Sequence, residues 1–169
     1  MPQAISFASL GRTLIEEALS HTRATLGFDE SIGPGGVMKK AGFLIFQPRK
    51  NFFARSLLQL LVQQGLAMPS GCARGTRYIS SVKTSSSSFS LCEQGVRIIE
   101  NMKRHIFYFL LSHGPSSRRQ IETLAGMEVS LENGKHLGWV CWLLLNELKR
   151  EGKVVETGRV WHLPNQVVE

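Results

Sequence analysis

Cysteine is scarce in this chain: Cys72, Cys92 and Cys141 are its three copies, far apart and without a C-x-x-C pair. Isolated thiols of this kind exclude a thiolate-paired structural zinc and favour a reducing cytosol. Long apolar runs are also missing, since no segment approaches the roughly 20 residues needed to cross a bilayer. The first residues, MPQAISFASLGR, lack the charged start and continuous apolar stretch of a secretory signal. The expectation is therefore a soluble protein with no membrane partner, cytoplasmic, and nucleoid-associated in a bacterial cell.

Enzyme signatures are absent as well. The stretch Gly33-Pro34-Gly35-Gly36 followed by Lys39 resembles a phosphate cradle superficially, but G-x-x-x-x-G-K-[ST] is not there and the stretch reads as a turn. His21, His105, His113, His136 and His162 show no metal-ligand spacing, and no pair of carboxylates stands out for acid-base work. The expectation is a non-enzyme without cofactor or metal.

What is present is an ordinary globular composition, 43% hydrophobic and 20% charged, with a formal net charge of +7. That charge is uneven. Residues 1–83 carry ten Lys+Arg against four Asp+Glu, while residues 84–169 carry ten against nine. A basic half attracts polyanions by Coulomb force and counterion release, so nucleic acid is the leading partner.

Thr84 to Ser90, with five serines, interrupts the apolar periodicity and reads as a linker over residues 84–91 between domains at 1–83 and 92–169. Beyond it, Val96, Ile99, Met102, Ile106, Phe109 and Leu110 recur at helical spacing, predicting a long amphipathic helix over Glu93 to His113. Gly114-Pro115 ends it. Ser116 or Ser117 is placed to cap a short helix that buries Ile121, Leu124 and Ala125. A turn through Glu132, Asn133 and Gly134 leads to a helix carrying Leu137, Cys141, Leu144, Leu145 and Leu148 on one face and closed by Gly152. Two β-prone runs, Lys153 to Glu156 and Arg159 to Leu163, join at Thr157-Gly158 as a hairpin.

This order of elements, and above all LLLNELKREGKVVETGRVWHL at residues 143–163, resembles the winged helix-turn-helix superfamily of transcription regulators over roughly residues 93–163. A fainter echo occupies residues 10–80. There, helices are expected from about Leu10 to Leu26, with Leu14, Ile15, Ala18 and Leu19 inward, and from Pro48 to Gln64, followed by a candidate wing over Leu66 to Ser80. Leu57 with Leu144, Leu58 with Leu145 and Leu61 with Leu148 share one spacing. The intervening Gly36 to Gly42 is a poor helix on propensity. The fold class expected is mainly α with short β-hairpin wings, a tandem winged helix-turn-helix.

In that superfamily the third helix enters the major groove and the wing reaches the backbone or minor groove. The resemblance thus implies a regulator that contacts double-stranded DNA. In the first half its contacts would be Arg49, Lys50, Asn51, Arg55 and Gln59 on the third helix, Arg74 and Arg77 in the wing, and Lys39 and Lys40 ahead of them. In the second half they would be Arg118 and Arg119 at the short helix, Lys135 near the third helix, and Lys153 and Arg159 in the wing. Trp139 and Trp142 read as exposed and are assigned to a protein interface: packing on the first half, homodimerisation or a protein partner. The alternative function is a winged-helix adaptor that scaffolds a larger complex.

Overall fold

The computed structural model describes residues 6–28, 30–45, 51–70, 76–81, 91–131, 133–134 and 137–168. Helix α1 (Phe7–Ala24) starts where the Ser6 hydroxyl accepts a hydrogen bond from the Ser9 amide at 3.1 Å, three residues before the expected start. Its Ile15, Ala18 and Leu19 are buried. Helix α2 (Pro34–Ala41) follows. The glycine-rich stretch expected as a turn is instead its N-cap and first turn, because Pro34 sits near the helix start, where a missing N–H costs nothing. Burial of Val37, Met38 and Ala41 outweighs the low propensity of Gly35 and Gly36.

Helix α3 (Phe52–Gln63) buries Phe53, Ala54, Leu57, Leu58 and Leu61. It begins at Phe52 and not at Pro48, since Asn51 at its head has φ 63°, a left-handed conformation that a helix cannot pass through. Strands β1 (Ala67–Ser70) and β2 (Arg77–Ser80) then pair antiparallel, from Ala67 opposite Ser80 to Ser70 opposite Arg77.

The second half repeats the order of three helices and a hairpin, with one short strand added. Helix α4 (Leu91–His113) is followed by the short strand β3 (Ser116–Ser117) and by α5 (Arg118–Leu124). Ser117 closes a capping box: its hydroxyl accepts from the Gln120 amide at 3.2 Å, and its own amide donates to Gln120 Oε1 at 2.8 Å. Ile121 and Ala125 are buried as expected, whereas Leu124 is 49% exposed. Helix α6 (Trp139–Arg150) begins just after the buried Leu137 and leads into β4 (Val155–Thr157) and β5 (Val160–His162). These join β3 in an antiparallel sheet of order β3-β5-β4. Among the described residues the chain is thus mainly helical with two small antiparallel sheets, and no helix there is long and apolar enough to cross a membrane.

The halves correspond position by position. The starts of α1 and α4, and of α2 and α5, lie 84 residues apart, while those of α3 and α6 lie 87 apart, so the second half carries three extra residues between its second and third helices. The contact between halves follows the same correspondence. A Cβ on Gly11 of α1 would overlap the carbonyl oxygen of Ala125 at the end of α5, and one on Gly95 of α4 would overlap that of Ala41 at the end of α2. Gly42 likewise abuts the backbone of Cys92, and Gly126 that of Ala8. Gly42 and Gly126 also hold φ of 75° and 70°, which a side chain disfavours. At each contact a histidine supports the carbonyl: His21 Nε2–H donates to Ala41 O and His105 Nε2–H to Ala125 O, both at 2.8 Å. The buried apolar residues of both halves form one continuous core.

Candidate nucleic-acid interface

In the first half, strand β2 is tied to the segment entering α2. Ile32 and Tyr78 exchange both backbone hydrogen bonds, at 2.9 and 2.8 Å. Beside them Arg77 donates from Nε to Ser31 Oγ at 3.0 Å and from a terminal guanidinium nitrogen to Ser31 O at 2.8 Å. Both acceptors are neutral, so the bonds aim the guanidinium without cancelling its charge. Its other terminal nitrogen stands 3.8 Å from the point where a Cβ of Gly33 would be, at the start of α2. The Asn51 amide, at the head of α3, approaches the equivalent point on Gly35 to 3.2 Å. The starts of α2 and α3 and the outer end of β2 therefore converge.

Arg55 lies one turn into α3, exposed, its guanidinium 5.7 Å from the centre of the Phe52 ring. Burial pushes the Tyr78 hydroxyl above its ordinary pKa and the positive charge of Arg55 opposes that push, which places Arg55 within electrostatic reach of β2. Lys39 and Lys40 are exposed at the end of α2, with Lys40 Nζ donating to Thr25 O at 3.0 Å. Among the described residues none of Lys39, Lys40, Arg55 and Arg77 is paired with a carboxylate. Gln59 is half-buried, in a shallow groove of about 290 Å³ that Val62, Tyr78 and Leu131 also line. Arg49, Lys50 and Arg74 lie outside the described residues.

No family model, curated protein or solved structure matches the chain.

Three of the five expected contacts of the second half are ion-paired. Arg118 Nε and an Arg119 guanidinium nitrogen lie 3.0 and 3.5 Å from the two oxygens of Glu122, whose side chain is 1% exposed. The pair expected to greet a phosphate at the start of α5 is instead committed to a buried carboxylate. Lys149 pairs with Glu156, Arg150 with Glu147 and Lys153 with Glu151, at 3.5, 3.2 and 3.1 Å. Arg159, exposed at the β4–β5 turn, has no ion pair among the described residues. Lys135 and His136 lie outside the described residues.

The tryptophans are not the exposed pair that their spacing suggests. Both are half-buried: Trp139 stacks on Phe52 of the first half, with ring centres 4.6 Å apart and planes at 14°, and Trp142 meets Trp139 edge to face at 5.4 Å. Phe52 and Trp139 are the first residues of α3 and α6, so they occupy corresponding positions and touch each other. Among the described residues no three His, Cys, Asp or Glu converge as metal ligands.

Sequence reading missed the four interface glycines and the two histidines. A signal existed, since Gly11 and Gly95, His21 and His105, and Ala41-Gly42 and Ala125-Gly126 all recur at the 84-residue spacing.

Proposed function

We propose that the chain is a non-enzymatic protein that binds double-stranded DNA through its first half, as a tandem winged helix-turn-helix regulator of transcription. The repeated order of three helices and a hairpin supports the fold assignment. The observation that carries the function is the convergence of the α2 start, Asn51, Arg55 and Arg77 around the Ile32–Tyr78 bridge, with no carboxylate among the described residues neutralising the two arginines. Backbone N–H groups at a helix start and guanidinium groups donate to phosphate, and Asn and Arg also suit adenine and guanine edges. In sequence, Arg49 and Lys50 adjoin Asn51, and Arg74 lies three residues before Arg77, adding charge to the same segments.

The test is fluorescence anisotropy with a labelled 30-bp duplex of mixed sequence at about 50 mM salt, where phosphate-driven affinity is strong. Binding that weakens steeply with added salt, and weakens in Arg55→Gln, is the expected result. A flat titration would sink the proposal.

One observation favours the protein-adaptor reading. Tyr108 and Leu111 of α4 are 51% and 56% exposed, and Tyr108 lines a groove of about 300 Å³ with Phe107 and Leu148. Trp139, engaged by Phe52, no longer supports that reading. A protein partner lost on Tyr108→Ser/Leu111→Ser, in a chain that ignores duplex DNA, would select the adaptor.

A further inference from the structure

We infer, resting on the DNA-binding reading above, that the chain occupies a single, non-repeated duplex site as a monomer, its second half serving as a built-in dimerisation partner and not as a second reader. Three observations lead there.

The first is how the halves meet. In a two-fold interface the same patch is used on both sides, so that residue i touches j and j touches i. Here Gly11 rests on Ala125 while Gly95 rests on Ala41, Gly42 meets Cys92 while Gly126 meets Ala8, and Phe52 stacks on its own counterpart Trp139. Each half has therefore already spent its self-complementary patch on the other. A second copy of the chain finds that patch covered.

The second is distance. Two-fold regulators of this kind read half-sites about 34–36 Å apart, one turn of the duplex. Helices α3 and α6 have Cα atoms within 8 Å of one another, and each has 12 residues. At a rise of 1.5 Å per residue their midpoints are at most about 26 Å apart. The two third helices are too close to lie in successive major grooves.

The third is charge. At the described positions where the second half would touch a duplex, Arg118 and Arg119 are held by Glu122 and Lys153 by Glu151, which leaves Arg159 in the wing without an ion pair. The corresponding face of the first half keeps Lys39, Arg55 and Arg77 without carboxylate partners among the described residues. One half has a phosphate-binding face and the other has neutralised most of its own.

The experiment uses the full chain and a pool of duplexes carrying 20 random base pairs. After rounds of selection, the enriched sites are sequenced and the complex is weighed by sedimentation equilibrium. One short motif without an inverted repeat, and one chain per duplex, is the expected result. Salt titrations on the selected site should show a log K against log salt slope shallower by about 0.9 in Arg55→Gln, the loss of one phosphate contact, and an unchanged slope in Arg150→Gln on α6. An inverted repeat with centres 10–11 bp apart, two chains per site, or equal slope changes in the two variants would overturn the inference while leaving DNA binding intact. Failure of the pool to enrich at all would instead remove the DNA-binding reading, and this inference with it.

Discussion

Gly95 lies so close to the carbonyl of Ala41 that its Cα packs directly on backbone, and the His21 imidazole, bonded to the same carbonyl, stands beside Gly95 as well. Backbone has no rotamer with which to retreat. Gly95→Ala should therefore cost about 3 kcal/mol or more in urea unfolding, at the upper end for an added methyl group in a packed site. Gly11→Ala, at the corresponding contact, should behave alike. Gly134→Ala serves as control: it keeps a strained φ of 84° but has open space around it, so about 1 kcal/mol is expected. Equal losses at Gly95 and Gly134 would show that backbone contact between the halves is not what holds them.

A second prediction concerns pH. Lys103 is buried and bridges Glu100, at 2.8 Å, and Glu151, which Lys153 also contacts. Burial alone would raise the Glu151 carboxyl, but hydrogen bonds and charge from Lys103 and Lys153 outweigh it and hold the group below its ordinary value of 4.5. A depressed carboxylate stabilises the fold above the unfolded value and loses that contribution as pH falls through the folded one. Glu151→Gln should accordingly lower Tm by about 2–4 °C at pH 7, the shift for roughly 1 kcal/mol in a chain this size. The gap between the two proteins should close as pH falls below 4.5. A gap that persists at pH 3 would mean Glu151 contributes through shape and not through charge.

The third prediction separates two thiols. Burial pushes the Cys141 thiol far up, the carboxylate of Glu122 adding to the effect and Arg118 opposing it, while Cys92 is exposed on α4. In a Cys72→Ser background, Ellman's reagent at pH 8 should modify one thiol in the folded protein and the second only on unfolding. Two thiols reacting together in the native state would place Cys141 outside the core.

Local signals in the sequence carried much of the fold. The Leu-rich face of α6, the Ser117 cap and the Thr157-Gly158 hairpin each depend on neighbours within a few residues, and each is where spacing and turn chemistry put it. Helix α2 was obscured because its glycines are weak helix formers and its stability comes from Val37, Met38 and Ala41 meeting distant elements. The halves' correspondence was half-visible: the leucines of α3 and α6 repeat at 87 residues, but Gly11, His21 and Gly42 repeat at 84, so no single register aligns both sets.

The candidate site was less legible for a related reason. Charge type can be read in a sequence, but whether a charge is free depends on what folds beside it. Arg118 and Arg119 look available until Glu122 turns inward to meet them, and Trp139 looks exposed until Phe52 arrives from the other half.

The seat of Gly11 on Ala125 also joins two stretches of chain that leave the ribosome at different times. The helix bearing Gly11 leaves the ribosome 114 residues ahead of its landing point, a delay on the order of ten seconds at ordinary elongation rates. During that interval the flank of α1 around Gly11 lacks its final cover, so chaperone demand should track translation speed through the intervening codons.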